Sequence, residues 1–239
     1  MPTYAMNIFL LPRDFCDEIE KLMNGFLWKG SKFDQKGLRW RRWDLLCKPK
    51  GAVALGFRKL RDFNLAMLAK QGWSLITDAR SLMARVLKAR YFPGTSILKA
   101  RLGNNPSFIW RSIFETQEIL EKNVRRRVGN GKDIHVWADA WHPGQGTGMI
   151  QSSRPVGIRD MGVAAPRDFT EKNWNREKTA STFNKADSDL ILSILISLQD
   201  REDGYWWTGE KNGCFSVKSC YRKVVDWSST ASWNGWSTL

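Results

Sequence analysis

Along much of this chain, apolar side chains recur every three or four residues, the period of a helix with one face turned to a core. Residues 12–29 show it first. Phe15, Ile19, Leu22, Met23, Phe26 and Leu27 follow that spacing, Pro12 suits a first turn, and Asp14, Asp17 and Glu18 lie near the positive end of the dipole. Gly30-Ser31 is the stop. The same spacing predicts helices over 60–77 (Leu60, Phe63, Leu65, Leu68, Trp73, Ile76), 80–90, and 107–123 (Phe108, Ile109, Ile113, Ile119, Leu120). A short helix is expected around Trp40, Trp43 and Leu46-Cys47, ending before Pro49. Gly51 to Gly56 reads as a turn or a short extended piece. Later in the chain, helices are predicted over 186–198, capped near Asp187, and from Val217 or Lys218 to Asp226.

Two stretches carry turn signals between short strand-like runs. Arg125–Val128 and Ile134–Trp137 flank Gly129-Asn130-Gly131-Lys132-Asp133, and Asn-Gly is a strong hairpin signal. Val128, Ile134, Val136 and one or both of Trp137 and Trp141 would anchor this hairpin. Tyr205–Thr208 and Cys214–Val217 predict a second hairpin. Residues 143–183 are rich in Gly, Pro and polar side chains and read as an irregular linker. The expected fold is mainly α with small β-hairpins. A helical bundle over 1–142 ends in a basic hairpin, the linker spans 143–183, and a small hairpin-helix unit covers 184–239.

Charge changes this picture more than size does. The 239 residues carry a formal net charge of +14. Residues 1–100 hold 19 Lys and Arg against 8 Asp and Glu, while residues 101–150 and 151–239 are nearly balanced. A positive field concentrated in one part of a chain points to a polyanionic partner, most simply nucleic acid. The 13 tryptophans add to this, because several adjoin Arg or Lys, as in Arg39-Trp40-Arg41-Arg42-Trp43. Aromatic planes beside cations can stack on bases and clamp phosphates. The expected phosphate contacts are Arg39, Arg41, Arg42, Lys70, Arg85, Lys88, Arg90, Arg125, Arg126 and Arg127. Arg85, Lys88 and Arg90 are spaced to share a polar flank, and strand alternation prevents all three of Arg125–Arg127 from facing inward.

The residues favour no catalytic chemistry. A two-metal polymerase or nuclease needs clustered carboxylates, and no Asp-Asp pair occurs. Asp187 and Asp189 alternate at a helix start, where capping is the better reading. No G-x-S-x-G elbow supports a hydrolase, and neither phosphate-binding glycine motif occurs. His135, Asp139 and His142 are spaced at i, i+4 and i+7, but a strand and a turn separate them, so no metal site is expected. Cys16, Cys47, Cys214 and Cys220 form no C-x-x-C pair, and sparse cysteine suits a reducing compartment. No cofactor, small-molecule substrate, membrane span or signal peptide is expected.

Several ordered blocks carry a resemblance. MPTYAMNIF at 1–9, GFRKLRDFNLAMLAKQGWSLITD at 56–78, LMARVLKARYFPGTSILKARLGNNPSFIWRSI at 82–113 and RRRVGNGKDIHVWADAW at 125–141 resemble the region after the palm in plant LINE-type (non-LTR) reverse transcriptases. GCFSVKSCYRKV at 213–224 is similar to the stretch before the zinc-binding module of that family. The first 140 residues also resemble a short plant mitochondrial open reading frame of retroelement origin. The family usually has Gly-Gly-Leu-Gly-Phe where this chain has Ala52-Val53-Ala54-Leu55-Gly56-Phe57. The resemblance implies a thumb or connecting region without the Tyr-X-Asp-Asp metal site, and no catalysis by this chain itself. It implies a sequence-independent RNA–DNA hybrid or duplex as partner. A polymerase named by homology alone, or a non-functional remnant, are the alternatives. The compartment would be nuclear or cytoplasmic for a nuclear element, or mitochondrial.

Overall fold

The computed structural model describes residues 3–29, 41–48, 55–144, 146–155, 157–158, 161–168, 173–196 and 201–230. The chain forms two compact units: Met1–Leu120 with Ser216–Leu239, and Glu121–Phe215. The periodicity suggested divisions at 142 and 183 instead. The fold is mainly helical with little strand, in line with the sequence pattern.

The first unit contains α1 (Thr3–Ile8), α2 (Arg13–Lys29), α3 (Trp43–Leu46), α4 (Leu60–Thr77), α5 (Leu82–Tyr91) and α6 (Phe108–Phe114). It also includes the first turn of α7 (Gln117–Asn123) and a C-terminal helix, here α10 (Val217–Thr230). Its centre is α4, which buries Leu60, Asn64, Leu65, Met67, Leu68, Gly72 and Leu75, residues spread around its circumference. A helix apolar on most sides must be surrounded, and α1, α2, α5, α6 and α10 all pack against it.

Two clusters stand out among the described residues. Around the N-terminal half of α4, Met6, Cys16, Leu60 and Met67 are buried, with Ile19, Phe63 and Val217 against them. Around its C-terminal half, Leu75, Ala84, Leu87, Phe92, Ile97, Ala100 and Ile113 enclose Trp110. Trp110 is fully buried. Its ring stacks on Tyr91 at 4.9 Å and on Phe92 at 5.4 Å, and its indole N–H donates to the Leu102 carbonyl at 3.1 Å.

Polar groups complete this packing. Lys59, at the N-cap of α4, supplies no side-chain cap. The Leu60 N–H instead donates to Glu20 Oε1 of α2 (2.6 Å), and the Lys59 N–H to the Tyr221 hydroxyl of α10 (3.0 Å). Buried Asn64 ties down the connection between α1 and α2. It accepts from the Leu11 N–H at 2.8 Å and donates to the carbonyls of Met6 (2.6 Å) and Phe9 (3.0 Å).

Three helical expectations are corrected here. Helix α2 buries Cys16 and Asn24 and leaves Phe15, Leu22 and Phe26 exposed, so its inward face is rotated from the anticipated stripe. The helix expected over 107–123 is broken into α6 and α7. Thr116 is fully buried at the break, with its hydroxyl donating to the Ile113 carbonyl at 2.7 Å. Phe108 and Ile109 are exposed rather than buried. Helix α1 was not anticipated.

The second unit holds β1 (Val124–Arg127), β2 (Arg167–Asp168), β3 (Asn173–Trp174), α8 (Arg176–Thr182), α9 (Lys185–Leu192) and β4 (Gly204–Trp207). Neither anticipated hairpin forms. β1 pairs antiparallel with β4, Val124 opposite Trp207 and Arg127 opposite Gly204. The Ile134–Val136 stretch bonds to residues 161–163 instead, through Val136 N–H to Met161 O and Val163 N–H to Ile134 O, both 2.9 Å. Of the second hairpin, one hydrogen bond resembles the expectation: Trp207 N–H to Gly213 O at 2.8 Å. The expected linker is not irregular throughout. Val163, Trp174 and Phe183 join Ile134, Val136, Trp141 and Ile191 in this unit's core, and α8 and α9 pack together. α9 ends at Leu192, short of the expected 198, and its cap is Asn184, whose side chain accepts from the Asp187 N–H at 2.8 Å.

Trp110→Ala removes two stacking partners and a hydrogen bond from a site without solvent. Its expected cost is roughly 3–5 kcal/mol, read as a lowered denaturation midpoint. An unchanged midpoint would contradict this placement of the ring.

Candidate nucleic-acid interface

The stretch from Val124 to His142 concentrates arginines, aspartates and both histidines, and its geometry is largely internal to the second unit. Arg125 is half-buried. Its guanidinium donates to the carbonyls of Lys122 (3.1 Å), Val124 (3.0 Å) and Gly146, and burial pulls its pKa down. Arg126 lies 4.5 Å over the Tyr205 ring and donates to Asp133 O at 3.0 Å. Arg127 is exposed.

The Gly129–Asp133 loop wraps around one carboxylate. Asp203 accepts from the backbone N–H groups of Gly129 (2.7 Å), Gly131 (2.8 Å) and Asp133 (2.9 Å). Converging backbone amides form an anion cradle, and here three alternate amides close on Asp203. Both glycines are required. A Cβ on Gly129 would come within 2.3 Å of the Arg201 and Glu202 carbonyl oxygens, and Gly131 has φ of 74°. The Asn-Gly turn chemistry was legible, but Asp203, more than 70 positions later, carried no local signal.

Two other acidic residues of this unit, Asp139 and Asp187, are engaged in the same way. Asp139 accepts from the His135 N–H at 2.8 Å. Buried Asp187 accepts from the N–H groups of Gln151 (3.0 Å) and Ser152 (2.7 Å) and from the Ser152 hydroxyl at 2.5 Å. His142 Nε2 is 3.5 Å from Asp187, and its Nδ1 accepts from the Gly144 N–H at 3.2 Å. A nucleophilic triad needs the histidine between serine and aspartate. Here the aspartate is in the middle, so the group joins backbone segments and does not activate Ser152. Among the described residues, no group of three or more His, Cys, Asp or Glu is placed to hold a metal ion.

The first unit differs in charge. It holds 24 Lys and Arg against 11 Asp and Glu, whereas the second holds 14 against 13. α10 adds Lys218, Arg222 and Lys223 to the basic unit, residues that the linear charge tally assigned to a balanced tail. Arg41, Arg42, Lys70, Arg85, Lys88 and Arg90 all belong to this unit and are exposed. Arg42 is 3.5 Å from Asp44. Lys70, Arg85, Lys88 and Arg90 have no ion pair among the described residues. Arg85 and Lys88 share a flank of α5, while Arg90 lies on another beside Val86. Arg39 falls outside the described residues. Lys218 and Arg222, one turn apart on the exposed side of α10, were missed because a helix this late in the chain has no sequence mark assigning it to the first unit.

Comparison with known proteins agrees with a plant origin. The chain is 38% identical over 142 residues to the uncharacterized mitochondrial protein AtMg00310 of Arabidopsis thaliana, covering 92% of that protein and 59% of itself. The chain belongs to that protein's family. It is also 28% identical over 230 residues to an Arabidopsis thaliana protein named "Putative ribonuclease H protein At1g65750". That alignment covers 94% of this chain but only 37% of the longer relative. Together these place the chain among plant retroelement-related proteins. No family model and no solved structure matches it.

Two measurements probe the second unit and its neighbour. Asp203→Ala leaves three loop amides without their acceptor. The expected loss is about 2–4 kcal/mol, with faster hydrogen exchange at Gly129, Gly131 and Asp133; unchanged exchange at these amides would refute the cradle.

The pH response has opposite signs in the two units. Burial lowers the His142 pKa, opposed by Asp187. The unfolded chain therefore takes up the proton first, and stability falls as pH drops below about 6.5. In the first unit, burial raises the Glu115 pKa to about 7, opposed by Arg61 and Arg111. That carboxyl favours the folded state at low pH, and its contribution is lost as pH rises from about 4.3 through about 7. Thermal melts across pH 4–8 should show the acid-side loss reduced in His142→Asn and the rise-side loss reduced in Glu115→Gln.

Proposed function

We propose that the first unit binds nucleic acid without sequence preference, as the thumb or connecting region of a LINE-type reverse transcriptase, and that this chain is not catalytic by itself. One observation carries the reading: nearly all of the net charge belongs to one unit, on side chains free to meet phosphates. Lys70, Arg85 and Lys88 are exposed and lack ion pairs among the described residues, so binding a phosphate breaks no ion pair there; Arg90 is also exposed and without an ion pair among them, with its guanidinium 5.3 Å over the Tyr91 ring. Lys218 and Arg222 join this set. Arg125 and Arg126 contribute less, because their guanidinium groups already hold backbone carbonyls.

The resemblance to the post-palm region of such polymerases supports an RNA–DNA hybrid or a duplex as the partner. The relative named as a ribonuclease H protein is consistent with association with nucleic acid in general. The sequence has no adjacent aspartate pair of the kind the polymerase site uses, which supports the non-catalytic part of the proposal.

Titration of a labelled RNA–DNA hybrid at several salt concentrations tests it. Affinity should fall steeply, with a log–log slope near −0.9 for each phosphate neutralised on B-form DNA and a similar steepness on hybrid. Arg85→Gln with Lys88→Gln should lower the slope by roughly one to two. Arg125→Gln should change it little. A salt-independent affinity, or none at all, would refute the reading.

A further inference from the structure

Within the first unit, α1, α4, α5 and α6 leave an open cleft of about 460 Å³. Its walls are apolar, with Ile8 from α1, Val86 from α5 and Ile109 from α6. These three side chains are 41%, 55% and 41% exposed, which is unusual for residues gathered at one concavity. Asn7, Tyr91 and Ser107 also line it, and Gln71 and Arg90 are the polar side chains that matter for a ligand. Gln71 of α4 has no hydrogen-bond partner among the described residues, and Arg90 of α5 has no ion pair among them. A mostly apolar concavity of a few hundred Å³ with a few convergent polar groups is the usual form of a small-ligand site.

We infer that this cleft receives an unpaired nucleobase of a single-stranded stretch, an inference that rests on the nucleic-acid reading above. The chemistry of the lining matches a nucleotide in three parts. The apolar walls accept the faces of a planar ring, a contact that tolerates any base. The Gln71 amide carries both a donor and an acceptor, so it can meet a base edge of either polarity. Arg90, on the flank of α5 that lines the cleft, supplies a cation for the phosphate attached to that base. Charge complementarity selects this occupant over an uncharged apolar one, since the cleft opens on the unit carrying nearly all of the +14 net charge. The helical scaffold would thus hold duplex by its phosphates and separately retain a frayed or overhanging end.

The test uses the full chain and three labelled probes of equal phosphate count: a single-stranded oligonucleotide, the same strand with abasic sites, and a blunt duplex. The base-bearing single strand should bind about tenfold more tightly than the abasic strand. Val86→Trp, a change at an exposed position, fills the cleft and should abolish that difference while leaving duplex affinity unchanged. Gln71→Leu should reduce it in part. Thermal melts show whether each variant is folded, and the abasic comparison on the unmodified chain stands without any variant. Equal binding of the base-bearing and abasic strands, with the salt slope retained, would overturn the base site and leave the phosphate-binding proposal standing. Failure of all three probes to bind would remove both. Displacement of the strand by an acidic peptide containing Phe and Leu, but not by polyglutamate, would assign the cleft to a protein partner and overturn the inference.

Discussion

The organisation of the first unit depends on burying α4. Few of its faces carry side chains that tolerate water, so five other helices must cover it. One of them, α10, is supplied from beyond the whole second unit. The start of α4 makes the dependence concrete. Its first amides have no local cap and rely on Glu20 and Tyr221, from two different helices. An uncapped helix start costs on the order of 1 kcal/mol, so α4 is completed only once both α2 and α10 are seated.

The second unit solves a different problem. It has few regular ladders, and its backbone N–H groups need acceptors. Aspartates provide them: Asp203 for the Gly129–Asp133 loop, Asp187 for Gln151 and Ser152, Asp139 for the His135 amide. Arg125 and Arg126 do the converse for carbonyls. Charges that look chemically suggestive along the chain are thereby committed to holding irregular backbone.

The two solutions leave opposite surfaces. In the second unit, positive and negative side chains nearly balance, and several of each are engaged internally. In the first, apolar contact closes the core, with Glu20 and Arg61 holding backbone groups beside it, and Lys70, Arg85 and Lys88 remain outward-facing. A helical core that needs few cations for its own stability leaves them available for a polyanion, which links the packing of this unit to its proposed role.

The sequence alone determined the helices with strong local signals. The period over 60–77 matches α4 residue for residue, α5 falls within two residues of its expected limits, α3 covers Trp43–Leu46 of its expected helix while Trp40 lies outside the described residues, and Gly131 of the Asn-Gly turn has the positive φ its composition demands. Val136, Ile134 and Trp141 are buried, as the apolar pattern required. These features are set by neighbours a few positions apart. Tertiary structure decided the rest. Any strand edge satisfies a backbone donor, so nothing near Arg125–Val128 specified Gly204–Trp207 as its partner over the adjacent Ile134–Trp137. The period of an amphipathic helix marks an apolar stripe but not which edge of that stripe faces inward, so α2 buries Cys16 and Asn24 and exposes Phe26. The return of α10 to the first unit, which places Lys218 and Arg222 with the other free cations, follows from the uncovered side of α4, a demand created about 150 residues earlier and visible only when the helix is packed.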